Sequence, residues 1–143
     1  MDTRTAELQN MLAGFHKMRQ HTNLKDLCRT HGLSVTHTQW MVLHFIYKER
    51  STSIKDIRRT FGITSSAATQ LVNELVKKQY VIKKSSTVDR RESVLTLSPT
   101  ARRGMARVQH AILIHLKRLF STLTDQEFTQ YVRLTKKING ALA

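Results

Sequence analysis

Cysteine and proline each occur once in these 143 residues, and glycine only five times. The lone Cys28 excludes an intramolecular disulfide framework and fits a reducing cytoplasm. So little glycine and proline leaves scant room for a glycine-rich phosphate cradle or a disordered tail, and predicts a compact, mostly helical chain. No apolar run approaches the ~18 residues that would span a bilayer, and Met1-Asp2-Thr3-Arg4 does not open a signal-peptide segment. A membrane partner is therefore not expected. Acids are scarce as well. Ten of them face 24 Lys and Arg, for a formal charge of +14. With no nucleophile elbow and no metal-ligand set, this composition argues against an enzyme, and no cofactor is expected.

A field of this size concentrates anions around the protein and points to nucleic acid or another acidic partner. The charge is also unevenly placed. Residues 51–103 hold eleven Lys and Arg and only four acids, so half of the net charge lies in little more than a third of the chain. Within that stretch, Val81-Ile82-Lys83-Lys84 and Ser93-Val94-Leu95-Thr96-Leu97 read as strands, and Ser85 to Asp89 as a polar turn. Together they form a β-hairpin tipped by Asp89-Arg90-Arg91.

Elsewhere the apolar periodicity is helical. Leu8, Met11, Leu12, Phe15 and Met18 predict one long amphipathic helix over about 4–30, ending near Gly32. Thr36-His37-Thr38-Gln39 is a capping box that opens a helix carrying Trp40, Leu43, Ile46 and Tyr47. Ser53 to Asp56 repeats that logic for a short helix ending at Gly62, and Thr64 caps another over about 65–78. On the latter, Ala68, Leu71, Val72 and Leu75 face inward, while Ser65, Ser66, Thr69, Gln70, Asn73 and Lys77 form the outer face. A short helix, a glycine turn and a helix with a small, polar outer face make a helix-turn-helix signature. Ser98-Pro99 starts a long helix (Met105, Val108, Ile112, Leu116, Leu119), and Thr124 to Glu127 caps the last one (Phe128, Tyr131, Leu134, Ile138).

This order of elements resembles the MarR (multiple antibiotic resistance regulator) family of winged-helix transcription factors. The resemblance covers nearly the whole chain and rests on Val35-Thr36-His37-Thr38-Gln39-Trp40, Asp56-Ile57 with Phe61-Gly62-Ile63-Thr64, Asp89-Arg90-Arg91 and Leu97-Ser98-Pro99. It implies a single mainly α domain over 1–143 with a small β-wing: a winged helix-turn-helix at 36–98 flanked by dimerisation helices at 1–35 and 99–143. It further implies a homodimer on a pseudo-palindromic operator in double-stranded DNA. The end stripes, which include Leu8, Met11, Leu12, Phe15, Leu116, Leu119, Phe128, Tyr131, Leu134 and Ile138, carry more apolar surface than so small a core covers, which independently favours a dimer. One departure is visible. Relatives usually carry Leu-Glu-x-x-Gly-Leu-Val after the recognition helix, whereas Leu75-Val76-Lys77-Lys78-Gln79-Tyr80-Val81 lacks both the Glu and the Gly. The helix exit is expected to adopt another conformation.

At the start of the 65–78 helix, Ser65, Ser66 and Ala67 are small enough for the backbone to approach a groove floor, and the helix dipole suits phosphate. Gln70 has the geometry to pair with adenine N6 and N7, Asn73 is a second reader, and Thr69 suits a thymine methyl or a phosphate. The resemblance makes Arg91 the residue entering the minor groove, oriented by Asp89. Arg90, Lys83 and Lys84 suit phosphates, and Lys55, Arg58 and Arg59 the flanking backbone.

Many relatives respond to a small-molecule effector or to cysteine oxidation. Phe15, Met18, Trp40, Phe45 and Tyr47 are candidates for a ligand pocket, though side chains of this kind more often simply pack a core. Lys25, Arg29 and His31 around Cys28 would favour its thiolate, against the simpler reading of a packed, inert residue. No metal is expected, because His110 and His115 are five apart and His37 and His44 have no acidic cluster beside them. The alternative to a regulator is an architectural winged-helix protein binding nucleic acid without sequence preference. A protein-interaction module whose wing never meets DNA is a further reading.

Overall fold

The computed structural model describes residues 2–88 and 92–142. Asp89, Arg90 and Arg91 lie outside the described residues. In chain order the elements are α1 (Thr3–His21), α2 (Leu24–Thr30), α3 (His37–Glu49), α4 (Ile54–Phe61), α5 (Ser65–Lys77), β1 (Val81–Ser85), β2 (Ser93–Leu97), α6 (Pro99–Phe120) and α7 (Asp125–Gly140). They divide into two compact units, 1–108 and 109–143. Among the described residues no helix is long and apolar enough to cross a membrane.

The single helix expected over 4–30 is two. Asn23 ends the run: its side-chain oxygen accepts from the Asp26 amide at 3.2 Å and its amide nitrogen donates to the Asp26 carboxylate, so a new helix starts at Leu24. Such local side-chain bonds compete with helix continuation, and here they win over the apolar spacing. α2 then closes as expected at Gly32, whose φ of +81° lets Leu33 N–H reach the Cys28 carbonyl at 2.8 Å and Gly32 N–H the Arg29 carbonyl at 3.1 Å. This is a Schellman closure, in which the left-handed residue satisfies the last helical carbonyls.

The core of the first unit gathers Cys28, Leu33, Val42, Leu43, Ile46, Ile57, Ala68, Val72, Leu75, Val81, Leu95, Leu97, Ala101, Met105 and Val108, all buried. Capping boxes at Thr36/Gln39 and Ser53/Asp56 start α3 and α4 where the sequence pattern placed them, and the Thr64 hydroxyl caps α5 through the Ala67 amide. Gly62 turns α4 into α5 in the left-handed region, φ +61°. The wing is an antiparallel pair in which Val81 faces Leu97, Lys83 faces Leu95 and Ser85 faces Ser93. Thr52 adds one residue to its edge, exchanging hydrogen bonds with Leu95 at 3.1 and 2.7 Å, a pairing that no pattern in the sequence announces.

In the second unit, Phe120 packs against Phe128 (ring centroids 5.7 Å apart) and Tyr131 (5.1 Å), which closes the turn between the end of α6 and α7. A third capping box, Thr124 with Glu127, opens α7. No residue of α1 or α7 is buried. Leu8, Met11, Leu12, Phe15 and Met18 are exposed, as are Leu119, Phe128, Tyr131, Leu134 and Ile138, and Leu116 is half-buried.

Candidate nucleic-acid interface

The outer face of α5 follows from its sequence. Ala68, Val72 and Leu75 recur at helical spacing and are buried, which turns the polar residues outward. All six α5 residues singled out from the sequence (Ser65, Ser66, Thr69, Gln70, Asn73 and Lys77) line one shallow groove of ≈ 610 Å³, and Glu74 joins them. Ser65, Ser66, Gln70, Asn73 and Lys77 are exposed, and Thr69 is half-buried. Each lining side chain carries a hydroxyl, an amide, a carboxylate or an ammonium on an apolar stem, so the groove presents donors and acceptors of the kind that match base edges and phosphates beside carbon surface.

Glu74, the sole acid of α5, escaped the sequence reading. One of its oxygens accepts from Gln70 Nε2 at 3.3 Å, and the other accepts from Gln39 Nε2 at 3.0 Å. Gln39 is itself buried at 4% exposure, and its Oε1 accepts from the Thr36 N–H at 3.2 Å and from Lys78 Nζ at 2.8 Å. Lys78 also donates to the Ser34 carbonyl at 2.7 Å. The usable signal was the four-residue spacing of Gln70 and Glu74, which stacks them on one helical face.

The exit of α5 corrects the expectation set by the missing glycine. Gln79 takes the left-handed conformation itself, with φ +59°; its N–H reaches the Val76 carbonyl at 2.9 Å, and Tyr80 N–H reaches the Leu75 carbonyl at 3.0 Å. The closure is the same Schellman geometry that a glycine would make, held at some steric cost. Beyond it, the Tyr80 carbonyl accepts from the Ser98 N–H at 2.9 Å, tying the base of the wing to the start of α6.

Lys83 and Lys84 are both exposed, but as neighbours on β1 they lie on opposite faces of the ribbon. Lys55, Arg58 and Arg59 are exposed on α4. Arg59 pairs with Asp56 at 3.0 Å, whereas no ion pair is found for Lys55 or Arg58 among the described residues. The Ser53 hydroxyl, foremost, holds the Asp56 carboxyl below its ordinary 3.8; the Ser53 N–H, Arg59 and the Thr52 hydroxyl act the same way against some burial. The expected roles of Asp89, Arg90 and Arg91 fall outside the described residues.

The five pocket candidates have different surroundings. Phe15 and Met18 are exposed on α1. Trp40 lines a ≈ 160 Å³ cavity with Leu24, Lys25, Cys28, Val35, Thr36 and His37, and tilts against His44 at 5.8 Å. Phe45 meets Phe61 edge-on at 5.8 Å, and Tyr47 lies under the Arg102 guanidinium at 5.9 Å. Cys28 is 1% exposed, and burial pushes its thiol up to about 11, which fits the packed, inert reading and opposes the thiolate that Lys25, Arg29 and His31 would favour. Among the described residues no group of three or more His, Cys, Asp or Glu is gathered to hold a metal.

Residues 31–92 match the model of the MarR family. No curated protein matches the chain in sequence. Several solved structures share its fold. YusO from Bacillus subtilis is 24% identical with a TM-score of 0.75, covering 98% of this chain and 97% of that one. RV1404 from Mycobacterium tuberculosis is 15% identical with a TM-score of 0.83, covering 99% and 95%. A mutant of MepR from S. aureus, bound to an oligodeoxyribonucleotide, is 18% identical with a TM-score of 0.65, covering 97% and 98%.

Proposed function

We propose that the chain is a winged-helix transcriptional regulator of the MarR family, whose model matches residues 31–92, and that it is a homodimer that binds a pseudo-palindromic operator in double-stranded DNA. The α5 face enters the major groove. Gln70 and Asn73 read base edges, Thr69 contacts a thymine methyl or a phosphate, and Ser65, Ser66 and Lys77 meet the backbone. The wing from Val81 to Leu97 approaches the minor groove, with Arg91 entering it beside Asp89 and with Arg90, Lys83 and Lys84 on phosphates. Lys55, Arg58 and Arg59 hold the flanking backbone.

The observation that carries this reading is the α5 groove, in which every lining side chain carries a polar group and which lies in the most basic third of a chain of charge +14. A MarR-fold protein bound to an oligodeoxyribonucleotide supports it. Dimerisation draws support from the exposed apolar side chains of α1 and α7, Leu8, Met11, Leu12 and Phe15 on the former and Phe128, Tyr131, Leu134 and Ile138 on the latter. So much apolar surface left in water is unfavourable, and a second copy covers it. We assign residues 36–98 to DNA binding and 1–35 with 99–143 to dimerisation. A small-molecule effector beside Trp40 fits the same scheme.

Selection of bound fragments from random duplex DNA tests the proposal. Recovery of an inverted repeat supports it; recovery of unrelated sequences at equal frequency favours an architectural protein instead.

A further inference from the structure

A glutamine side chain is ambiguous as a reader, because turning its amide over exchanges donor for acceptor and reverses the base it prefers. On this helix the ambiguity is removed. Glu74 is acceptor-only when ionised, so the atom of Gln70 that lies 3.3 Å from it must be Nε2. The carboxylate is in turn fixed from behind. Gln39 turns its own Nε2 to the second oxygen because its Oε1 is already taken by the Thr36 amide and by Lys78 Nζ. A chain of defined polarity therefore runs from the capping box of α3, through a buried amide, to the base-reading face.

We infer that Glu74 is a positioning residue that sets the base preference of Gln70. It holds the amide so that Oε1 and the remaining Nε2 hydrogen are offered outward, the arrangement that meets adenine N6 and N7. The side chain is ordered before the DNA arrives, which reduces the entropic cost of binding. This rests on the major-groove role of α5 proposed above. A carboxylate facing a polyanion lowers overall affinity, and holding Gln70 in one orientation offsets that cost with discrimination.

The test measures binding of the full chain to its selected operator and to every single-base variant of it. The proteins are wild type, Gln70→Ala, Glu74→Ala, the double variant, and Glu74→Gln, which keeps the size but offers one oxygen to two donors. Glu74→Ala is expected to tighten binding generally by loss of repulsion. It should also cut discrimination at one base pair by roughly tenfold, the low end of what a bidentate contact supplies. That base pair is the one altered by Gln70→Ala, and the double variant shows no further change there. Glu74→Gln loses part of the same discrimination; it carries the test if the alanine variant does not fold. Uniform scaling of all affinities, or a change at a different base pair, overturns the inference. A wild-type profile flat at every position instead overturns the base-reading role of α5 itself.

Discussion

The Tyr80 hydroxyl accepts a hydrogen bond from the Ser34 backbone N–H at 2.9 Å, while Lys78 Nζ holds the Ser34 carbonyl at 2.7 Å. Two side chains from the exit of α5 thus fasten both neighbouring peptide groups of the turn that precedes α3. α5 and the wing are anchored to the body of the unit at this point, in addition to their apolar contacts. Tyr80→Phe keeps the ring and removes the hydroxyl. The same hydroxyl donates to the Gly32 carbonyl at 3.4 Å, so the substitution removes two hydrogen bonds, and urea denaturation is expected to show a loss of about 1–3 kcal/mol at about 0.5–1.5 each. An unchanged midpoint would mean that water replaces the hydroxyl without cost.

Gln79 carries the left-handed conformation for which glycine is suited, φ +59°. Gln79→Gly removes steric strain of about 1–2 kcal/mol and adds some freedom to the unfolded chain, so a net gain of up to about 1 kcal/mol is expected. Gln79→Val, β-branched at the same φ, is expected to lose more than 1 kcal/mol. Thermal melts of the two variants should move in opposite directions. Parallel shifts would contradict the assigned backbone conformation.

Asp56 links stability to pH. Its carboxyl is held below 3.8 chiefly by the Ser53 hydroxyl, so the folded state binds a proton less readily than the unfolded one. The stabilisation is fully present above the unfolded value and is lost as pH falls through the folded one. Wild-type Tm should fall below pH 4 more steeply than that of Asp56→Asn, with the difference constant from pH 5 to 7. The carboxylate is 37% exposed, so solvent screening keeps the effect small.

Cys28 should be chemically silent. At 1% exposure and with a thiol pKa of about 11, it is expected to react with Ellman's reagent at pH 8 only as fast as the protein opens. Modification at the rate of a free thiol would restore the redox reading.

Much of this was legible in the sequence because the signals were local. The capping boxes at Thr36, Ser53 and Thr124, the glycine turns at Gly32 and Gly62, and the apolar stripe of α5 each depend on residues within about four positions. Where two local signals competed, apolar spacing hid the Asn23 cap and two helices read as one. Gln79 misled for a different reason: the sequence shows that glycine is missing, but not that a glutamine takes the left-handed conformation and makes the same closing hydrogen bonds. Thr52 on the wing edge and Gln39 on Glu74 pair residues 43 and 35 positions apart, and no short-range pattern encodes such contacts.

Arg91 and Gln70 should separate affinity from specificity. Arg91→Ala is expected to weaken binding to every operator variant alike and to lower the salt slope by about one, while Gln70→Ala alters preference at one position by about 1–3 kcal/mol. Titrations over the single-base operator set at two salt concentrations check both. Equal scaling by Gln70→Ala would remove it from direct readout.

The most direct measurement of all is the ratio of affinities for the selected inverted repeat and for a scrambled duplex of the same length, taken by fluorescence anisotropy at physiological salt. A sequence-specific regulator predicts a ratio of about 10³ or more, with two chains bound per repeat. A ratio near one, or one chain per duplex, would contradict it.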